Sequence, residues 1–208
     1  MIERLSSGKG LLLGRIAGGC GIMSQLVGLS VLSVAITGSP WFSWTGNYIS
    51  ILGVQGSNTV LFNSGLILCG LLGLIFALGL GKTLLPGRFG QWGAVTLALG
   101  SLALSGIGVF PLTHELAHYA AATGFFASIH VAIFLVGVMA ITRSQRTWGV
   151  ISFIVILFAV AARLAPWPWS GGAIEQVLSC LPSSVWTGVL AVRLLRKTAR
   201  RQEKATAS

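Results

Sequence analysis

The sequence predicts an all-α integral membrane bundle of six transmembrane helices, with the N-terminus and the C-terminus both cytoplasmic. Three observations carry this. The 208 residues are 54% hydrophobic and 9% charged, with a mean hydropathy of +0.85, whereas roughly a quarter of the residues in a soluble domain are charged. Six apolar segments approach the ~20 residues that a helix needs to cross a hydrocarbon core. Thirteen of the fourteen Lys and Arg residues fall in stretches that alternating spans place on one side, the side on which short basic loops are retained.

Residues 1–14 read as a basic cytoplasmic N-terminus carrying Arg4 and Lys9. The first span is expected at about 15–37. Arg4, Lys9 and Arg15 before an apolar run imitate a signal peptide, and Ala17-Gly18-Gly19-Cys20 imitates a lipoprotein cleavage site. Arg15 interrupts the apolar segment, however, and hydrophobicity runs well past Cys20, which favours a retained span. The second span, at about 58–80, is followed by the basic turn containing Lys82 and Arg88. The third, at about 91–110, carries Gly93, Gly100, Ser101, Ser105, Gly106 and Gly108, small residues that let helix backbones approach closely.

The fourth span, at about 116–141, starts just after Pro111, with Thr113 as the expected N-cap and Glu115 in a first turn that favours acidic side chains. Arg143 and Arg146 mark the next inner turn. The fifth, at about 148–165, ends near Arg163, the one cation outside, and the sixth is expected at about 174–194. Residues 15–194 therefore form one transmembrane domain, and 195–208 a basic cytoplasmic tail expected to be disordered. Trp41, Trp44, Trp148, Trp167 and Trp169 sit at the expected span ends, where amphipathic rings prefer the headgroup level.

The formal charge of +10 does not indicate nucleic acid, because the cations are spread over turns and tail with no groove or aromatic platform to collect them. They orient the chain and meet anionic membrane lipids. Cys20, Cys69 and Cys180 lie in apolar runs and are odd in number, so no disulfide framework is read from them. Glycine-rich faces on the first three spans serve bundle packing or a homo-oligomer. No repeat of solenoid length is present, and the sequence leaves the cofactor, if any, unknown.

Ionisable groups are scarce, so those expected to face the outer side are candidates for a site. They are His114, Glu115 and His118 at the start of span four, Arg163 at the end of span five and Glu175 at the start of span six. The first outer loop adds Asn47, Tyr48 and Ser50, with Asn58 and Asn63 following, and its glycines suit a re-entrant lid. His114-Glu115-Leu116-Ala117-His118 matches the H-E-x-x-H zinc pattern. A third ligand is missing, since His130 lies ~24 Å further along a continuous helix, so no metal is expected. His130 reads as an interior polar residue bonded to a neighbouring helix. Arg163 and Glu175 read first as an ion pair closing the last hairpin, with headgroup binding as the rival. Ser50 can act as a nucleophile only with His118 as its base, and the chain has neither an Asp nor a G-x-S-x-G elbow.

Asn47-Tyr48-Ile49-Ser50-Ile51-Leu52-Gly53, then Leu61-Phe62-Asn63-Ser64-Gly65-Leu66-Ile67 leading into Gly70, form a distinctive set with Gly108-Val109-Phe110-Pro111 and His118. With Gly172-Ala173-Ile174-Glu175-Gln176 and Trp186, the chain resembles the prokaryotic membrane family called domain of unknown function 998, from the first span through the sixth. The resemblance implies a bundle of six or seven helices and no established reaction. Its position-matched candidates are Asn47, Ser50, Asn63, His118 and Glu175. Members usually carry an Asp where this chain has Ile51 and an Arg near Gln176.

The expected function is that of a multi-pass plasma-membrane protein binding a lipid or small amphiphile in a polar pocket of the outer half. Asn47, Ser50, Asn63 and Arg163 are the expected binding residues. His118 and Glu175 are the candidates for acid-base or hydrolytic chemistry. The alternatives are a small transporter, hinted at by His130, Pro182 and the glycines, and a structural membrane scaffold.

Overall fold

The computed structural model describes residues 2–206. Its helices are α1 (Ile2–Thr37), α2 (Thr59–Thr83), α3 (Gly87–Val109), α4 (Glu115–Thr142), α5 (Arg146–Leu164) and α6 (Ala173–Thr206), with a 3-10 turn at Ile49–Gly53 between α1 and α2. No strand occurs among the described residues. All six helices contain stretches long and apolar enough to cross a membrane, so the chain is a multi-pass membrane protein. Because the spans alternate in direction, both ends of the chain share one face of the bundle. We call this the terminal face and the opposite one the loop face.

Each helix packs on the next in sequence, and α6 returns against α1, closing a ring. The closing seam depends on small residues. A Cβ placed on Gly18 would lie 2.6 Å from the Leu195 side chain, and one on Gly21 would lie 2.7 Å from Phe76 and 2.8 Å from Ala191. These glycines bring α1 onto α6 at a separation that larger side chains would not allow. The α2–α3 contact is closer still, because Gly70 faces the Ser101 carbonyl and the Ser105 amide, with Ser105 Oγ donating to the Ile67 carbonyl at 3.1 Å. The glycine faces that sequence assigns to packing or oligomerisation are thus used within the chain at these seams. Outward positions carry large apolar side chains such as Val60, Leu157 and Leu164, which suit lipid surroundings.

The densest packing is in the terminal half, around Phe76, Leu80, Ile133, Val136, Leu190 and Leu194. Trp148, which sequence places at a headgroup boundary, turns inward there and stacks on Trp186 with centroids 5.9 Å apart. Trp186 Nε1 donates to Ser152 Oγ at 2.9 Å, which itself donates to the Trp148 carbonyl at 2.9 Å. Arg193 covers the outer side of Trp148, with Cζ 4.7 Å from the ring centroid. A smaller cluster of Ala35, Leu52 and Phe62 anchors the loop face.

The stretch expected to be a disordered tail continues α6 as helix to Thr206. Two tertiary contacts hold its beginning. Thr198 is buried against Gly14, and Lys197 Nζ donates to the Thr83 carbonyl at 2.8 Å, satisfying a backbone acceptor at the end of α2.

Candidate functional site

Dense packing gives way, toward the loop face, to a cavity of about 290 Å³ bounded by α1, α2, α3, α4 and α6. Its wall follows α4 from His118 to Ile129 and α6 from Gln176 to Thr187. Either stretch corresponds to a depth of ~16 Å at the helical rise, so the cavity reaches about the middle of a ~30 Å hydrocarbon core. Its waist is apolar, formed by residues such as Leu32, Leu66, Phe125 and Phe126, and no Asp, Glu, Lys or Arg lines it.

The loop-face end is closed by the 3-10 turn, from which Ile49 and Ser50 reach the cavity. Three groups hold this cover. Gln176 Oε1 accepts from the Ile49 amide at 2.8 Å, Asn63 Nδ2 donates to the Gly53 carbonyl at 2.8 Å, and Leu52 is buried beneath. The preceding loop is stitched to the α5–α6 connection, with the Gly171 amide donating to the Thr45 carbonyl and the Ala173 amide to the Asn47 carbonyl, both at 2.9 Å. Glycine is required at 171 because the Asn47 backbone lies where a Cβ would project, and at 172 a Cβ would displace the Tyr48 ring.

His118 lies in the first turn of α4, is only 4% exposed and lines the cavity. Its Nδ1 is 2.9 Å from the Phe110 carbonyl. A carbonyl can only accept, so Nδ1 carries a proton. Ser50 lines the same cavity, but no hydrogen bond joins it to His118 among the described residues. The other sequence candidates sit around this chamber instead of in its wall. Asn47 Oδ1 accepts from the Ser43 amide at 2.8 Å, and Asn63 holds the cover. Glu175 is paired with Arg163 at 2.7 Å, whose Cζ also lies 5.1 Å from the Phe126 centroid.

The H-E-x-x-H segment does not make a shared face. His114, not Thr113, is the residue before the first turn; it is exposed beside Phe110, whereas His118 points inward. Among the described residues no three His, Cys, Asp or Glu side chains group to hold a metal ion. The interior hydrogen bond expected of His130 is not made by its Nε2, which is buried without a partner. The three thiols are free, and Cys69 exchanges hydrogen bonds with Ser24 across α1 and α2, Ser24 Oγ to the Cys69 carbonyl at 3.0 Å and Cys69 Sγ to the Ser24 carbonyl at 3.4 Å.

Sequence reasoning missed the deep end of the cavity, where Gln25, Ser179, Ser183, Ser184 and Thr187 gather. The signal is present in α6: Ser179, Ser183 and Thr187 recur every four residues, which places them on one helical face. Gln25, inside an otherwise apolar span, is the partner on α1.

The Arg163–Glu175 pair is 38% and 19% exposed at its two side chains, so its Coulomb attraction is partly screened. A double-mutant cycle with Arg163→Ala and Glu175→Gln is expected to give a coupling of no more than about 1 kcal/mol. A coupling several times larger in a detergent unfolding titration would mark the pair as a buried anchor.

No curated protein and no solved structure matches this chain. The family model described as "Protein of unknown function (DUF998)" matches residues 22–193, a range that takes in the cavity-lining stretches of all five surrounding helices. This match, over most of the chain, identifies it as a member of the DUF998 family.

Proposed function

We propose that the protein binds a single amphiphile, its apolar body in the waist of the cavity, without transforming it. The observation that carries this reading is a chamber of about 290 Å³ with an apolar waist between polar ends, close to the lower end of the ~300–1,000 Å³ typical of small-molecule sites. Binding is favoured over hydrolysis because no carboxylate stands behind the His118 ring: Nδ1 is held by a carbonyl, and Glu175 is held by Arg163. His118 and Ser50 then act as polar contacts at the covered end, while Asn47 and Asn63 position the cover and Arg163 with Glu175 holds the hairpin beside it. The basic terminal face is assigned to the cytoplasm on the retention of short basic loops, which makes the covered end extracytoplasmic, and the plasma membrane is the location we propose.

Gly28 offers a direct test. It lines the cavity, and a Cβ there meets only Cys69 Sγ, at 3.5 Å. Gly28→Leu is therefore expected to fill the chamber without a backbone clash. Native mass spectrometry of delipidated protein incubated with dodecanol should show a one-to-one adduct that the variant weakens by about tenfold or more, at unchanged elution volume. Equal binding by Gly28→Leu and the native chain would overturn the reading.

A further inference from the structure

The deep end of the cavity has its own chemistry. Five of the hydroxyls lining the chamber already donate within the protein. Ser24 donates to the Cys69 carbonyl, Ser101 to the Leu97 carbonyl, Ser183 to the Ser179 carbonyl, Thr187 to the Ser183 carbonyl and Ser184 to the Gln25 Oε1. Ser179 is different. Its side chain is 1% exposed, and its Oγ has no hydrogen-bond partner. Deeper on the cavity wall, the half-buried Gln25 amide has its oxygen engaged by Ser184 and no described partner for Nε2. Both groups lie well inside their helices, Ser179 six residues from the start of α6 and Gln25 twelve from the end of α1, depths of roughly 9 and 18 Å. A polar hydrogen buried at that depth, as on Ser179, is costly to leave unmatched.

The charge balance narrows what can match them. Because no Asp, Glu, Lys or Arg lines the chamber, a carboxylate, phosphate or ammonium seated at its deep end would lie in a low dielectric with no counter-charge beside it, at a cost far above that of a neutral head. Acceptors are also at hand for a donating ligand, since the Ser183 and Thr187 oxygens retain lone pairs after donating to their own helix.

We infer that the deep end, built by Gln25 and Ser179 with Ser183 and Thr187, is a head-group subsite for an uncharged, hydroxyl-bearing amphiphile. The hydroxyl oxygen accepts from Ser179 Oγ, with Gln25 Nε2 a second donor further down the wall, and its proton is donated to Ser183 or Thr187. The assignment rests on the amphiphile-binding reading above and specifies its substrate class.

Four probes of equal chain length separate the possibilities: dodecanol, dodecane, dodecanoate and dodecylamine, each incubated at neutral pH with the delipidated full chain and quantified by native mass spectrometry. Dodecanol is expected to bind about tenfold or more tightly than either charged analogue. Ser179→Ala and Gln25→Leu are each expected to weaken dodecanol by about threefold to tenfold, with dodecane unchanged in both. Ser179→Ala is a small change in a tightly folded site, so it reports even where Gln25→Leu folds poorly. Charged probes binding as well as dodecanol, or Ser179→Ala leaving dodecanol binding intact, would overturn the subsite while leaving the cavity-binding reading in place. Failure of all four probes to bind the native chain would overturn both.

Discussion

Gly70→Leu is expected to abolish assembly of the ring. At Gly70 the neighbours that a Cβ would meet include backbone, the Ser101 carbonyl and the Ser105 amide, the latter at 2.7 Å. A flexible side chain can rotate aside, but a helix backbone can only retreat as a whole. Retreat of α3 would break the Ser105 bond to the Ile67 carbonyl. It would also pull apart the neighbouring contact at Gly108, whose added Cβ would meet the Asn63 backbone and lie 2.9 Å from Ile67. Because association of helices in lipid depends mainly on such packing, little remains to compensate. The check is the yield of monodisperse protein in a mild detergent, with Gly19→Leu as control, since nothing lies within 4 Å of a Cβ at that position. Near-native yield for Gly70→Leu would show that the α2–α3 seam tolerates a wider separation.

The second large effect concerns the Trp148–Trp186 stack. Trp186 is 2% exposed and joins α5 to α6 through its ring and its bond to Ser152. Trp186→Ala removes both and leaves a large void, for which about 3–5 kcal/mol is expected. Trp186→Phe keeps an aromatic ring but loses the hydrogen bond and part of the indole volume, for which a smaller loss of about 1–3 kcal/mol is expected. Unfolding titrations in dodecyl sulfate read both values. Equal losses for the two variants would assign the stability to the bond, leaving the stack without weight.

The same contrast between ring and environment explains what sequence reveals about this protein. The six spans are legible because lipid demands a length and an apolar composition that few other constraints imitate. Arg163 with Glu175 is legible as well, being the lone cation of its face beside an acid across a short connection. The helical continuation to Thr206 is not, because the polar composition of the tail conceals two tertiary contacts, Thr198 on Gly14 and Lys197 on Thr83. At the site, the covered end stands out through His118, Ser50 and a loop rich in glycine. The deep end does not, because Ser179, Ser183 and Thr187 pass for ordinary small residues of a membrane helix until the chamber beside them is known. Glu175 attracts attention by its charge, yet Gln176, its uncharged neighbour, is the residue that lines the cavity and holds the cover.

Closure of the ring by α1 and α6 sets an order of birth for the chamber. The two helices that must meet are the first and the last of the six to enter the bilayer, so the five made earlier can form only an open crescent whose glycine seam faces lipid. Ser179, Ser183 and Thr187 arrive with the final helix, and until then Gln25 has no companion across the gap. The wall of the chamber is thus completed only when the last helix docks.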